Sequence, residues 1–271
     1  MEEHQHLPDA SRLSSITAMI LLAYAATPYI QVPVPTIAFQ LPGFYFSSQV
    51  KFGSILSILV AGLAAVGVDW LIRDHPHHEN RTLFQHGFIP ALTAIVIGVP
   101  LTSLDPSPQW WAILALGVSL LVLVFIAEYI VVDPEDIRYA PATLGLTAIS
   151  YALFLFLTIA LKGAGFRLFV LLPLVMVVVG FFSLRTLYLQ LGGRWSLAWS
   201  VGIALVMGQF VIGLHYFAFS PIKYGLFLLA PLYALNNIAF SIEEGKSIKQ
   251  FWLEPAIMTA VILIFGVVIK G

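Results

Sequence analysis

Long apolar runs dominate the chain, and short polar stretches separate them. A helix that crosses the hydrocarbon core of a membrane, about 30 Å thick, needs about 20 mostly apolar residues. By this measure the sequence predicts nine transmembrane helices in a single polytopic domain, residues 1–271. Their predicted ranges are 14–30, 52–72, 86–104, 110–132, 140–161, 167–189, 195–214, 223–241 and 255–270. We therefore expect an all-α integral membrane protein.

Proline and other turn-forming residues mark the breaks between these runs. Residues 105–108 and 133–136 each contain Asp and Pro, and they separate the third, fourth and fifth predicted helices. Residues 31–49 are also apolar, but three prolines interrupt them. This pattern predicts a re-entrant or interfacial segment between the first and second helices. Backbone at membrane depth must be hydrogen-bonded internally, so a re-entrant segment would have to be covered by protein.

The composition agrees with a membrane protein and excludes several other classes. Hydrophobic residues make up 59% of the chain and charged residues 10%, against about 45–50% and about 25% in soluble domains. Too few polar residues remain to cover the outside, so lipid must cover it. The net charge of -1, without a basic stripe, argues against a nucleic-acid partner. The chain has no cysteine, which excludes disulfides, iron–sulfur clusters and Cys-type zinc sites.

The distribution of charged residues predicts the orientation. We call the membrane side that holds the N-terminus side A. With alternating helices, most of the 13 Lys and Arg residues fall on side A, which makes it cytoplasmic by the positive-inside rule. Glu2, Glu3 and Asp9 outnumber Arg12 before the first helix, unlike a signal peptide, so we expect an uncleaved anchor. The predicted location is the cell membrane, with a cytoplasmic N-terminus.

Polar side chains lie near the side A ends of several predicted helices. Ionisable residues inside a membrane are costly, and they are usually paired or functional. If the helices surround one cavity, these side chains would line a polar vestibule that opens to side A. The candidates are Asp69, His86, Glu128, Arg185, Asn236, Asn237 and Glu254. Glu128 stands out because its neighbours are apolar or aromatic, and a Glu128–Arg185 pair could be structural or part of a functional pocket.

The loop after the second helix combines imidazoles with carboxylates, which suit zinc, iron, manganese or copper. The candidate ligands of a divalent transition metal are Asp74, His75, His77, His78 and Glu79. Their spacing matches no established metal motif. A solvated loop that anchors a helix end explains the same residues, and the sequence favours that interpretation.

Established catalytic motifs are missing from the sequence. Residues 245–247 resemble the end of a phosphate-binding loop, but Phe240 stands where that loop needs glycine. This favours a carrier of a small molecule or lipid, or an accessory subunit of a membrane complex. The His and acidic residues on side A favour the alternative, a membrane-embedded, metal-dependent enzyme that acts on a lipid at the cytoplasmic face.

The second predicted helix has a face of small residues, which allows close helix packing in a membrane. The small residues are Ala61, Gly62, Ala64, Ala65 and Gly67. Besides the lipid bilayer, we therefore expect membrane-protein partners that bind through this face.

Residues 69–76, together with His86 and residues 90–94, resemble an uncharacterised family of bacterial multi-pass membrane proteins. The resemblance covers the first third of the chain. It implies a bacterial membrane protein and no catalytic residues, because that family has no assigned activity.

Overall fold

The computed structural model describes residues 8–30, 36–41, 44–49, 52–73, 75, 83–246 and 252–269. Within these residues the chain forms nine α-helices, which confirms the predicted all-α membrane fold. They are α1 (Ala10–Ala26), α2 (Phe52–Ile72), α3 (Leu83–Ser103), α4 (Pro108–Ile130), α5 (Tyr139–Gly163), α6 (Leu168–Gln190), α7 (Leu197–His215), α8 (Pro221–Glu243) and α9 (Leu253–Val268).

Eight of the nine helices in the described residues are long and apolar enough to cross a membrane. The first of these spans includes the single 3-10 turn Thr27–Tyr29 that follows α1. The last helix, α9, is apolar but has 16 residues, so its length of about 24 Å, at 1.5 Å per residue, is less than the hydrocarbon thickness.

Side-chain caps explain where two of the spanning helices begin. The Ser107 hydroxyl accepts a hydrogen bond from the Trp110 N–H, and Pro108 occupies the first position of α4. At α8, Ser220 and Pro221 repeat the arrangement. Both residue types suit a helix start, where the first N–H groups have no helical acceptor.

The predicted re-entrant or interfacial segment contains β-structure. Two strands, β1 (Thr36–Leu41) and β2 (Phe44–Gln49), pair antiparallel, with Thr36 opposite Gln49. The remaining residues of this segment, 31–35 and 42–43, lie outside the described residues. An open two-stranded hairpin has unpaired backbone groups at both edges and cannot be exposed to lipid within the hydrocarbon core.

The chain divides into two compact units, Met1–Tyr139 and Ala140–Gly271, which we call unit 1 and unit 2. The prediction of one polytopic domain stays a prediction. In unit 1, α1 to α4 enclose a buried apolar core. The Tyr24 hydroxyl of α1 donates to the Ala94 carbonyl of α3 at 2.6 Å, and the Trp110 indole of α4 donates to the Leu101 carbonyl at 3.0 Å.

Unit 2 contains the close helix pairs α6–α7 and α8–α9. Aromatic side chains connect its helices. The Tyr151 ring of α5 lies 5.0 Å from the Phe182 ring of α6 and 5.5 Å from the Tyr233 ring of α8, measured between centroids. Contacts between long apolar and aromatic side chains therefore stabilise this unit as well.

The small residues of α2 are mostly covered by the chain itself. Ala61, Ala64 and Gly67 are buried in unit 1, and Ala65 lies against Gly87 of α3. Only Gly62, of the five predicted, has open space beside it and faces outward. Close helix packing at this face is thus found within the chain, and a partner there stays a prediction that depends on Gly62.

Candidate functional site

A histidine and a glutamate meet inside unit 1. His86 lies in the first turn of α3 and Glu128 in the last turn of α4. Because these consecutive helices are joined by a short connection and pack together, the start of one lies beside the end of the other. His86 Nδ1 is 2.9 Å from Glu128 Oε2, and the two side chains are 4% and 0% exposed. The distance is that of a charge-assisted hydrogen bond.

The backbone around His86 has two unusual features. Pro90, four residues further along α3, has no N–H and cannot donate the helical hydrogen bond to the His86 carbonyl oxygen. Gly87 faces α2 so closely that an added Cβ would lie 3.1 Å from the Ala65 Cβ. Proline is a common cause of helix kinks, and the glycine allows α3 to approach α2 beside the pair.

The pair can hold a proton in a setting where a net charge is unfavourable. When the pair carries one proton in addition to the ring N–H of a neutral imidazole, it is neutral overall, whether that proton lies on the imidazole or on the carboxylate. Adding a second proton leaves a net positive charge, and removing the proton leaves a net negative charge. Either change would leave the pair with a net charge in an apolar environment, which costs energy.

A second group of polar residues lies around the end of α4. The ring of His75, only 6% exposed, makes an edge contact with the Tyr129 ring at 4.8 Å. Tyr129 directly follows Glu128. The carboxylate of Asp133 is buried and accepts a hydrogen bond from the Glu135 N–H. Sequence reasoning missed the His75–Tyr129 contact, because no periodic signal connects a loop residue to a helix so far along the chain.

An ion pair follows in the loop between α4 and α5. Arg138 donates to Asp136 at 2.8 Å, which holds the pKa of the Asp136 carboxyl below its ordinary value of 3.8. Smaller effects are the burial of Asp136, which raises its pKa, and the nearby His75, which lowers it.

The predicted vestibule residues divide between the two units. Asp69, His86 and Glu128 belong to unit 1, where Asp69 forms an ion pair with Arg73 at 2.7 Å and not with the buried pair. Arg185, Asn236, Asn237 and Glu254 belong to unit 2. The structure thus brings together two of the seven, His86 and Glu128. A common vestibule, and the Glu128–Arg185 pair, stay predictions.

The unit 2 candidates make contacts within their own unit. The Arg185 guanidinium is buried and lies 5.4 Å from the centre of the Tyr188 ring. The side-chain amide of Asn236 is buried and donates to the Leu232 carbonyl, and Asn237 donates to the Tyr233 carbonyl in the same way. Glu254 is exposed in the first turn of α9.

Four of the five predicted metal ligands, Asp74, His77, His78 and Glu79, lie outside the described residues. The structure describes the fifth, His75. Among the residues that the structure does describe, no group of three His, Asp or Glu side chains could hold a metal ion. The metal site stays a prediction.

Unit 2 also contains an apolar groove of about 660 Å³ between α8 and α9. Its walls include Ala234 and Ile238 of α8 and Trp252, Pro255 and Ala256 of α9. The hydroxyl of Thr259, which also lines the groove, donates to the Ala230 carbonyl at 3.5 Å. Residues that line such a groove and residues that face lipid are both apolar, so no sequence signal predicts this groove.

Comparison with known proteins identifies one family. The model of a family described as "Protein of unknown function (DUF5656)" matches residues 32–269. No curated protein and no solved structure matches the chain. The match confirms that the chain belongs to an uncharacterised family, and it covers most of the chain. The predicted bacterial origin stays a prediction.

Proposed function

The chain belongs to the DUF5656 family of proteins of unknown function, and we propose that it is a membrane carrier for a small or lipid-like molecule. The His86–Glu128 pair is its proton-binding centre in this proposal. The observation that supports it is the 2.9 Å contact between two ionisable side chains that are almost fully buried in an apolar helix bundle.

The energetics of burial favour a functional interpretation of this pair. Well-packed apolar residues often replace a buried ion pair without loss of stability. A buried His–Glu pair is therefore a weak means of stabilising a fold. Ionisable residues inside transmembrane segments typically mark substrate pathways and proton relays.

The proton count links the pair to a transport cycle. In this proposal the pair carries one proton while water is excluded, because either change of count leaves the pair with a net charge in an apolar environment. An open conformation lets water exchange that proton, and in this proposal the pair closes with a different count only when the charge of a bound substrate compensates for the change. The missing helical hydrogen bond at Pro90 lies one turn from His86, where α3 can bend more easily than at an unbroken position.

A flux measurement tests the proposal in two stages. Purified full-length protein is first screened by thermal unfolding in detergent against oleate, a lysophospholipid, an organic amine and an organic acid, because a ligand of the native state raises the unfolding temperature. The stabilising compound is then added to proteoliposomes loaded with a pH-sensitive dye. Wild type should change the internal pH, whereas Glu128→Gln and His86→Gln should not.

Asp69→Asn is the matched control, since it removes a carboxylate of unit 1 that pairs with Arg73 and not with His86. It should retain the flux. A pH change of wild-type size in Glu128→Gln would refute the pair as the proton-binding centre. Stabilisation by none of the probes, together with no flux, would refute the carrier.

The alternative is a membrane-embedded enzyme that acts on a lipid at the cytoplasmic face. The buried contact between the His75 and Tyr129 rings near the end of α4 supports this alternative. Its metal would be held by Asp74, His75, His77, His78 and Glu79. Mass spectrometry of the liposome lipids distinguishes the two functions, because an enzyme leaves a converted lipid and a carrier does not.

An accessory-subunit role, with a partner helix at Gly62, is the remaining proposal for the function. We also propose a bacterial cell membrane as the location, with side A and the N-terminus in the cytoplasm. Most Lys and Arg residues lie on predicted side A, which supports this orientation. Labelling of single engineered cysteines from either side of intact cells tests it.

A further inference from the structure

Three cations gather at one end of unit 2, where α5 and α7 end and α6 and α8 begin. Lys162 lies in the last turn of α5, Arg167 directly precedes α6, and Lys223 lies in the first turn of α8. A Cβ added at Gly163 would lie 3.9 Å from Cγ of Pro221, so α5 ends beside the start of α8. We call Lys162, Arg167 and Lys223 the basic end of unit 2.

The Lys162 ammonium group is held in place and keeps donors for a further acceptor. It donates to the His215 carbonyl of α7 at 3.3 Å and lies 4.8 Å from the centre of the Tyr224 ring. Because Tyr224 is fully buried, its ring gives the ammonium group a fixed support. A lysine ammonium has three N–H donors, and the hydrogen bonds that the structure describes use one of them. Lys162 is half-buried, so an acceptor from outside the chain can reach the others.

The carboxylate side chains of unit 2 lie far from the basic end. Residues 140–242 contain no Asp or Glu, so the acidic residues of unit 2 are Glu243, Glu244 and Glu254. Glu243 is the last residue of α8, about 30 Å from Lys223 at 1.5 Å per residue. Glu254 lies near Glu243, since Trp252 and Ile242 line the same groove. Charges so far apart are screened from each other, because the Debye length at physiological ionic strength is about 8 Å.

Two of the three cations lie where a helix disfavours them. Arg167 is the N-cap residue of α6, and Lys223 is the third residue of α8. The partial positive charge of a helix N-terminus repels cations and attracts anions. The fold itself therefore gains nothing from cations at these two positions. A bound anion would be stabilised by the cations and by both helix termini.

The opposite end of unit 2 has both signs of charge. Lys246 forms an ion pair with Glu244, and Glu243 and Glu254 lie at the same end. Arg194 is exposed there as well. Carboxylates of the chain itself accompany these cations, so an anion from outside has less reason to bind. Arg194 and Lys246 are therefore suitable controls for the basic end.

The basic end lies at the level of the lipid headgroups. Helices α5, α6 and α8 have 23–25 residues and are long enough to cross the hydrocarbon core, so their shared end lies at the membrane boundary. Exposed aromatic side chains occur there: Phe166 directly precedes Arg167, and Tyr216 and Phe217 follow α7. Aromatic residues are enriched at this depth, where they contact the upper part of the acyl chains.

We propose that the basic end binds the phosphate of an anionic phospholipid. Lys162 donates to a phosphate oxygen, and Arg167 and Lys223 attract the negative charge. Basic pockets between membrane helices bind anionic headgroups in this way. A zwitterionic headgroup would add its own cation to three others, and a free phosphate ion has no acyl chain for the exposed aromatic side chains. The bound lipid connects the ends of α5, α6 and α8. This binding is independent of the proposed carrier function.

Thermal unfolding of the delipidated full-length protein in detergent tests this binding. Phosphatidylglycerol should raise the unfolding temperature of wild type more than phosphatidylcholine does, because a ligand of the native state stabilises it. In Arg167→Gln/Lys223→Gln, the difference between the two lipids should fall at least twofold. The matched control, Arg194→Gln/Lys246→Gln, removes the same charge from the opposite end and should keep the difference. The unfolding temperature without lipid shows that each variant is folded.

Native mass spectrometry gives a second readout, which a single change at an exposed residue is enough to test. Arg167→Gln should retain at least twofold less phosphatidylglycerol than wild type, whereas Arg194→Gln should retain the same amount. Equal stabilisation of wild type by the two lipids would overturn the proposal. An equal loss in both double variants would also overturn it, because the attraction would then be a diffuse effect of net charge. Inorganic phosphate that stabilises wild type as much as phosphatidylglycerol would show a site for the free ion and overturn the lipid.

Discussion

His86 Nδ1 and Glu128 Oε2 lie 2.9 Å apart on consecutive helices, and each side chain is shielded from solvent within unit 1. Removing one member takes a hydrogen-bond partner away from the other inside an apolar core. We expect His86→Leu to lower the free energy of unfolding by about 3–5 kcal/mol. Thermal or chemical unfolding in detergent measures this loss.

The double variant His86→Leu/Glu128→Met provides the control for that prediction. Both side chains keep a similar volume and neither is ionisable, so the double variant should regain most of the stability that the single variant loses. Loss of stability in the double variant equal to the sum of two independent single losses would show that the pair is not coupled.

The Tyr24 hydroxyl connects α1 to α3 through the Ala94 carbonyl at 2.6 Å. Tyr24→Phe keeps the ring and removes the donor, so we expect a loss of about 1 kcal/mol in the free energy of unfolding. Tyr29→Phe is the matched control, because Tyr29 is 75% exposed and its change should have no measurable effect. Equal results for the two variants would show that the hydrogen bond contributes nothing.

Lys162 stabilises the end of a neighbouring helix in unit 2. Its ammonium group donates to the carbonyl of His215, the last residue of α7, at 3.3 Å and lies 4.8 Å from the Tyr224 ring centre. A cation near a helix C-terminus and over an aromatic face is favourable. Lys162→Met should lower the free energy of unfolding by about 1 kcal/mol. The same change at the exposed Arg167 should not, and equal losses would argue against a specific role.

Acid should weaken the loop between α4 and α5. The hydrogen bond from Arg138 lowers the pKa of Asp136 below its ordinary value of 3.8 in the folded protein. A lowered folded-state pKa means that the stabilisation is present above pH 3.8 and is lost as the pH falls through the folded-state pKa. Between about pH 5 and pH 2.5, Asp136→Asn should show a flatter fall of unfolding temperature than wild type. Parallel curves would contradict this prediction.

The helices were predictable because membrane thickness imposes their length. The run that becomes α2 was predicted with the bounds that the structure gives, and the other helices within a few residues. The β-structure of residues 36–49 was not predicted. Its alternation of apolar and polar residues lies in a segment that is apolar overall and interrupted by prolines, so proline and composition masked the strand period.

The site was predictable in part, for a physical reason. Alternating helices place His86 and Glu128 at the same membrane side, so topology predicted that they lie at the same depth. Which side of each helix faces which neighbour was not predictable, because helices apolar on all sides carry no amphipathic signal. The structure therefore adds the His86–Glu128 pairing, whereas sequence reasoning had considered Arg185 as the partner of Glu128.

Substitutions at two glycines of α2 distinguish helix packing within the chain from binding of a partner protein. An added Cβ at Gly67 would lie 2.7 Å from Cγ2 of Ile16, a buried β-branched side chain with little freedom to move, whereas Gly62 has nothing within 4 Å. Alanine raises helix propensity equally at both positions, by up to about 1 kcal/mol. Gly67→Ala should nevertheless lower the unfolding temperature, because overpacking costs about 1–3 kcal/mol.

Gly62→Ala should raise the unfolding temperature of the isolated protein slightly. If a partner helix packs at Gly62, then Gly62→Leu should remove that partner from the complex purified from native membranes and leave the unfolding temperature of the isolated protein unchanged. Unchanged co-purified proteins would rule out a partner at this position. A lower unfolding temperature in Gly62→Leu would instead mean that this face contacts the rest of the same chain.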